Sequence, residues 1–166
     1  TRPTSDVAAS PNRIVVLTRL VPHKRVEDAL DVVRRLAPEF PDLHLDVIGH
    51  GWWGGELSEA AAHLGVSDRV TFHGFLDNTE RDAMLGASWV MLLPSAKEGW
   101  GLAVMEAAAA GTPTIGYRYS GGLTESVVDG RTGLLADDLE GLVAATRRLL
   151  GDASLRAEMS VNAKQW

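Results

Sequence analysis

Short, nearly continuous apolar runs alternate along this chain with longer stretches of helical spacing, and few folds accommodate that rhythm. RIVVLT, from Arg13 to Thr18, reads as a buried strand, and Val26 to Leu36 follows as an amphipathic helix with Leu30, Val33 and Leu36 on one face. LHLDVIG is the next strand, ELSEAAAHLG a helix stopped by Gly65, RVTFHG a third strand and TERDAMLGA a short helix. WVMLLP, an apolar helix from Leu102 to Ala110, TPTIGY, a polar glycine loop and TGLLA come next. LEGLVAATRRLLG and SLRAEMSVNAKQW close the chain as two helices. Strands this uniformly apolar are buried on both faces, as in a parallel sheet whose crossovers are helices. The expected fold class is therefore α/β: a doubly wound, Rossmann-like parallel sheet of about six strands with helices on both faces, which binds ligands at the carboxyl ends of its strands.

With 166 residues, 45% of them hydrophobic, the chain suffices for one domain. Lys and Arg total 16 against 22 acids, a net charge of −6, which disfavours nucleic acid as a partner. The absence of cysteine excludes disulfides and thiolate metal sites. No run approaches the ~18 apolar residues of a membrane span, and TRPTSDVAASPN lacks the apolar core of a signal peptide. These features predict a soluble, cytoplasmic protein, with any targeting segment lying upstream. Residues 1–12, rich in Ser, Thr, Pro and Ala, read as a linker from a missing N-terminal domain; 13–166 read as the folded domain, with its last helix truncated because the pattern reaches Trp166 without a cap.

Two acids stand out where the strand WVMLLP gives way to the apolar helix. Glu106 lies in LAVMEAAAAG, apolar all round, so the helix is expected to be buried on most sides. A buried carboxylate without a partner costs several kcal/mol. Glu106 is thus either a structural acid, paired with a buried arginine or reaching out at a helix end, or a carboxylate that accepts hydrogen bonds from ligand hydroxyls. Glu98 stands beside Gly99 and Gly101, which flank Trp100. Glycines there form an ordinary tight turn or let a ligand approach the helix start, whose free N–H groups suit a pyrophosphate. Glu98 either complements the helix dipole or faces a neutral part of such a ligand, sugar hydroxyls for instance. RLVPHKR places Arg19, His23, Lys24 and Arg25 between the first strand and the first helix. Cations at a helix start oppose its dipole, so this is a solvated basic loop or one side of an anion site. A parallel sheet brings the loop and the glycine turn to the same carboxyl edge.

Taken together, these segments resemble the retaining glycosyltransferases of family four. EGWGLAVMEAAAAGTP resembles that family's Glu-x7-Glu signature through Glu98 and Glu106, RLVPHK its Arg-x4-Lys diphosphate clamp through Arg19 and Lys24, and GGLTESVVDGRTGLL its Gly-Gly-x-x-Glu segment. Thr124 departs from the pattern where proline is common. The resemblance covers nearly the whole chain and matches only the C-terminal, donor-binding half of a two-domain protein. It implies a nucleoside-diphosphate sugar, UDP- or GDP-linked, as donor substrate, no separate cofactor and no metal. It also implies an acceptor held mainly by the N-terminal domain, through which alone any membrane contact would arise. By position, Arg19 and Lys24 would grip the diphosphate, with Glu98, as the catalytic groups. Gly99, Trp100, Gly101 and Leu102 would surround the donor, Glu98 would bond its sugar and Glu106 its ribose. Phe75, Leu76 and Arg81 would border the base. The fragment alone would transfer little sugar. A non-catalytic nucleotide-sugar-binding module, or a related epimerase or phosphorylase of the same fold, is the alternative.

GHGWWG, from Gly49 to Gly54, has the form of a dinucleotide fingerprint, but His73 and Gly74 stand where its acid is required. It reads instead as a loop bordering the nucleotide pocket. There is no P-loop, and no two of the five histidines have the i, i+4 spacing of a helical zinc site. Trp100 is expected to pack on the neighbouring helix rather than on sugar.

Overall fold

The structure, a computed structural model, describes residues 12–98 and 101–165. Six strands form one parallel sheet: β1 (Arg13–Leu17), β2 (His44–Ile48), β3 (Val70–Gly74), β4 (Val90–Leu93), β5 (Thr114–Tyr117) and β6 (Gly133–Ala136). Their order across the sheet is β3-β2-β1-β4-β5-β6, so the chain winds outward from the centre in both directions. Among the described residues seven α-helices cover it: α1 (Val26–Leu36), α2 (Gly54–His63), α3 (Asn78–Ala87), α4 (Leu102–Ala109), α5 (Leu123–Ser126), α6 (Leu139–Gly151) and α7 (Ala153–Gln165). This is the doubly wound arrangement that the alternating pattern predicts. The short α5 inside the glycine loop is the element the pattern does not reveal.

Alternate strand residues feed two cores, as the pleat requires. Ile14, Val16, Leu45, Val47 and Leu92 meet Leu30 and Val33 of α1, Leu57 of α2 and Leu142 of α6 on one face. Val15, Met91 and Leu93 meet Leu85 of α3 and Val104 and Ala107 of α4 on the other. Two of the helices, α3 and α6, start at a capping aspartate. Asp77 accepts from the Glu80 N–H at 2.8 Å before α3, and Asp138 from the Gly141 N–H at 2.8 Å before α6; such caps contribute about 1 kcal/mol each.

The helix carrying Glu106 is less enclosed than its composition predicts. Val104, Ala107 and Ala108 are buried, but Leu102 is 71% exposed and Glu106 is only half-buried. Small alanines let α4 lie close to the sheet while its other flank stays open. Among the described residues no helix is long and apolar enough to cross a membrane.

Candidate functional site

In a doubly wound sheet the loops leaving the two central strands diverge to opposite faces and open a crevice between them. Here those strands are β1 and β4, paired through Ile14↔Val90 and Val15↔Met91. The crevice is a cavity of about 390 Å³. Leu17, Thr18, Arg19 and Lys24 line it from the β1 side, Leu93 and Glu98 from the β4 side, and Gly101, Leu102 and Ala103 where α4 begins. Arg19, Lys24, Glu98, Gly101 and Leu102 are thus brought together as the sequence predicts, although Glu98 follows Arg19 only after three intervening strands.

Two of the charges in the wall, Lys24 and Glu98, are paired but not saturated. Lys24 Nζ lies 3.1 and 3.3 Å from the two Glu98 carboxylate oxygens, with both side chains largely buried. An ammonium has three donors and a carboxylate about four acceptor sites, so both groups keep capacity for a ligand. Glu98 is held by its backbone, its N–H donating to Ser120 O at 2.7 Å and its carbonyl accepting from Gly122 N–H at 3.0 Å. Gly101 precedes α4 with φ 76° and ψ 57°. A Cβ there would lie 3.0 Å from Ser126 Oγ and 3.3 Å from Val104 Cγ2, so both conformation and space call for glycine.

Glu106 lies on the same helix but outside that cavity lining. Its Oε2 is 2.9 Å from Arg81 Nη1, close enough for an ion pair but without an aligned N–H, which leaves that buried oxygen lacking a hydrogen bond. Arg81, on α3, also donates to Asp82 at 3.1 Å and is itself partly exposed. The structural alternative for Glu106 called for a buried arginine; the partner found, Arg81, is 24% exposed. Phe75 is 75% exposed and stands edge-on to His50, with ring centroids 6.5 Å apart. Leu76 packs onto the second core. None of these four residues is among those that line the cavity. Gly99 and Trp100, predicted as donor contacts, lie outside the described residues.

The dinucleotide-like glycines have a packing role. A Cβ on Gly49 would fall 1.8 Å from Thr18 O, and one on Gly51 2.3 Å from Leu20 O, so the loop after β2 presses its backbone against the loop after β1. Trp53 anchors that loop, its indole N–H donating to Glu27 at 2.6 Å. The sequence reading missed Thr18 and Ala103 in the cavity wall and gave no role to the turn Arg118–Gly122 that holds Glu98. The consecutive glycines Gly121 and Gly122 after β5 were the signal available for that turn. Among the described residues no three His, Asp or Glu side chains gather as they would around a metal ion.

A family model described as "Glycosyl transferases group 1" matches residues 2–166. The chain belongs to that family. Glycogen synthase of Mycobacterium tuberculosis is 36% identical over 157 residues, covering 93% of this chain and 38% of the relative. A GDP-mannose-dependent α-(1-6)-phosphatidylinositol monomannoside mannosyltransferase of Mycolicibacterium smegmatis is 32% identical over 162 residues, covering 92% of this chain and 42% of the relative. The chain therefore spans less than half the length of these relatives. Among solved structures, Anabaena HepE in complex with UDP and glucose superposes with a TM-score of 0.87 at 24% identity, over 99% of this chain and 47% of that one. At that identity the likeness shows the fold alone.

Proposed function

We propose that this chain is the donor-binding half of a retaining glycosyltransferase of family four. Its donor is a nucleoside-diphosphate sugar, with no further cofactor, and its acceptor is held mainly by a part of the protein outside this chain. The observation that carries this reading is the meeting of Arg19, Lys24 and Glu98 in one cavity at the start of α4, in a member of the group 1 family. Both named relatives are enzymes of glycosyl transfer or glycan synthesis, and the Anabaena structure holds UDP and glucose.

The chemistry follows from the charges. When the bond to the anomeric carbon breaks, negative charge grows on the β-phosphate of the leaving nucleoside diphosphate. Arg19, Lys24 and the free N–H groups at the start of α4 are preorganised to stabilise it. Without donor, Glu98 serves as counter-ion to Lys24; with the diphosphate in place, the ammonium turns part of its donor capacity to phosphate and Glu98 is released to the sugar hydroxyls. Glu106, whose Oε2 lacks a hydrogen bond, accepts from the ribose, with Phe75, Leu76 and Arg81 towards the base. Glu98 is the one carboxylate in the cavity lining among the described residues and it is taken up by the sugar hydroxyls, so retention proceeds by substitution on the face the leaving group departs from.

Thermal melts with UDP, GDP, ADP and their sugars test the reading. Ligand at a hundred times its Kd stabilises by about 2.7 kcal/mol, a rise of roughly 5–10 °C for a domain of this size. One base gives that shift if the reading holds. No shift with any nucleotide overturns it.

A further inference from the structure

Arg25 joins the single 3-10 turn Pro22–Lys24 to α1 with φ 51° and ψ 43°. That left-handed conformation is unfavourable for a long side chain, and among the described residues Asn12 is the one other non-glycine with positive φ. Such strain persists where the surroundings over-determine it, and here they do. Arg25 Nη1 donates to the Tyr119 hydroxyl at 2.9 Å, its Nε lies 3.6 Å from the Asp28 carboxylate, and its guanidinium carbon sits 5.9 Å from the centre of the Tyr117 ring. Tyr117 and Tyr119 stack with centroids 5.0 Å apart and planes 13° from parallel. Tyr117 is itself fixed, buried at the end of β5 and donating its hydroxyl to Asp28 at 2.6 Å.

The turn that carries Tyr119 is also the one whose Ser120 and Gly122 hold the Glu98 backbone on both sides. One rigid turn therefore grips both members of the cavity's ion pair: Glu98 directly, and Lys24 through its chain neighbour. Neither Arg25 nor Tyr119 lines the cavity. We infer that Arg25 and Tyr119 are positioning residues, which hold the Lys24 ammonium in the cavity at the separation from Glu98 that a donor diphosphate requires. The inference rests on the donor-binding reading above. It adds that the loop after β5 sets the diphosphate grip without touching the ligand. Because Lys24 acts on the outer phosphate, misplacing it should weaken a nucleoside diphosphate and spare the monophosphate.

The test is calorimetric titration of the protein carrying this chain with a nucleoside diphosphate and its monophosphate, using whichever of UDP, GDP and ADP gives the largest thermal shift. Two variants are compared with the parent: Tyr119→Phe, which removes only the hydroxyl from a half-exposed ring, and Arg25→Gly, which removes the guanidinium and relaxes the backbone. Each is expected to lose about three- to tenfold in diphosphate affinity, the scale of one ordinary hydrogen bond. Monophosphate affinity stays level and Tm stays within about 2 °C, because Gly at a left-handed position offsets the lost contacts. Unchanged diphosphate affinity in both variants overturns the inference. So does a parallel loss of both ligands together with Tm, the mark of a merely structural contact. Lys24→Ala separates the two levels. If it weakens the diphosphate while Tyr119→Phe is silent, only the positioning claim fails; if it leaves the diphosphate untouched, the donor reading fails and takes this inference with it.

Discussion

Asp46 and Glu98 are both carboxylates drawn in from solvent, and their surroundings differ in a way that separates architecture from chemistry. Asp46 sits in the middle of β2 with no exposure at all. Arg13 reaches it from β1 with Nε at 3.0 Å and Nη2 at 2.7 and 2.8 Å, and His73 Nε2 from β3 lies 2.8 Å away. These partners are delivered by the sheet register itself, which pairs Val15 with Asp46 and Asp46 with Thr71. Glu98 shares one ammonium in the wall of an open cavity, and Glu106 meets one partly exposed arginine off-axis. A buried acid whose oxygens are all engaged ties strands together. An acid with unused acceptor sites in or beside a cavity wall is set for a ligand.

The largest effect expected from this contrast is on stability. Asp46→Ala leaves Arg13 and His73 facing a void in the sheet and should lower unfolding free energy by about 3–5 kcal/mol. A urea melt reads that directly. A fully stable Asp46→Ala protein with lost nucleotide binding would reverse the roles of the two regions. Next, Glu98→Gln keeps shape and loses charge. Turnover of the full enzyme should fall about 100-fold, measured as transfer from its nucleotide sugar, while Tm moves little.

A third comparison sharpens the status of Glu106. If it awaits a ribose, Glu106→Gln weakens nucleotide binding about tenfold, the scale of a charge-assisted hydrogen bond, and Arg81→Met leaves Tm nearly unchanged. Equal losses of Tm in both variants, with nucleotide affinity intact, would place Glu106 in the same class as Asp46. The smallest effect belongs to His44, beside the Asp46 cluster, with Nε2 2.7 Å from Thr71 Oγ1. Burial holds its pKa below the ordinary 6.5, against the opposing pull of Asp46. The unfolded chain therefore takes up a proton at a higher pH than the folded one. Stability falls as pH drops through about 6.5 and levels off below the folded value. His44→Gln should flatten that part of the pH–stability curve, read from thermal melts between neutral and mildly acidic pH.

What could be read from the sequence was what periodicity and local spacing encode. The helix expected at Val26 to Leu36 forms over those residues, because its apolar stripe and flanking charges are local signals. The convergence of Arg19, Lys24 and Glu98 followed from parallel topology, which carries every strand's carboxyl end to one edge. Pairings across the sheet were not legible. Asp46 in LHLDVIG gives no hint of Arg13 or His73, since those contacts depend on register rather than on neighbours in the chain. The Lys24–Glu98 ion pair was not legible either, because residues 74 positions apart carry no local signal of each other. The open flank of α4 was hidden by its alanines, which read as buried in any hydropathy pattern. The tie between Arg25 and Tyr119 joins two loops whose sequences carry no mark of each other.

A crystal structure of the protein with its preferred nucleoside diphosphate puts the account to its most direct test. The outer phosphate is expected within about 3 Å of both Lys24 Nζ and the Arg19 guanidinium, in the crevice between β1 and β4, with the Lys24–Glu98 contact longer than the 3.1 Å seen without ligand. A nucleotide bound elsewhere, or one in the crevice with its phosphates turned away from Lys24 and the ion pair undisturbed, would contradict it.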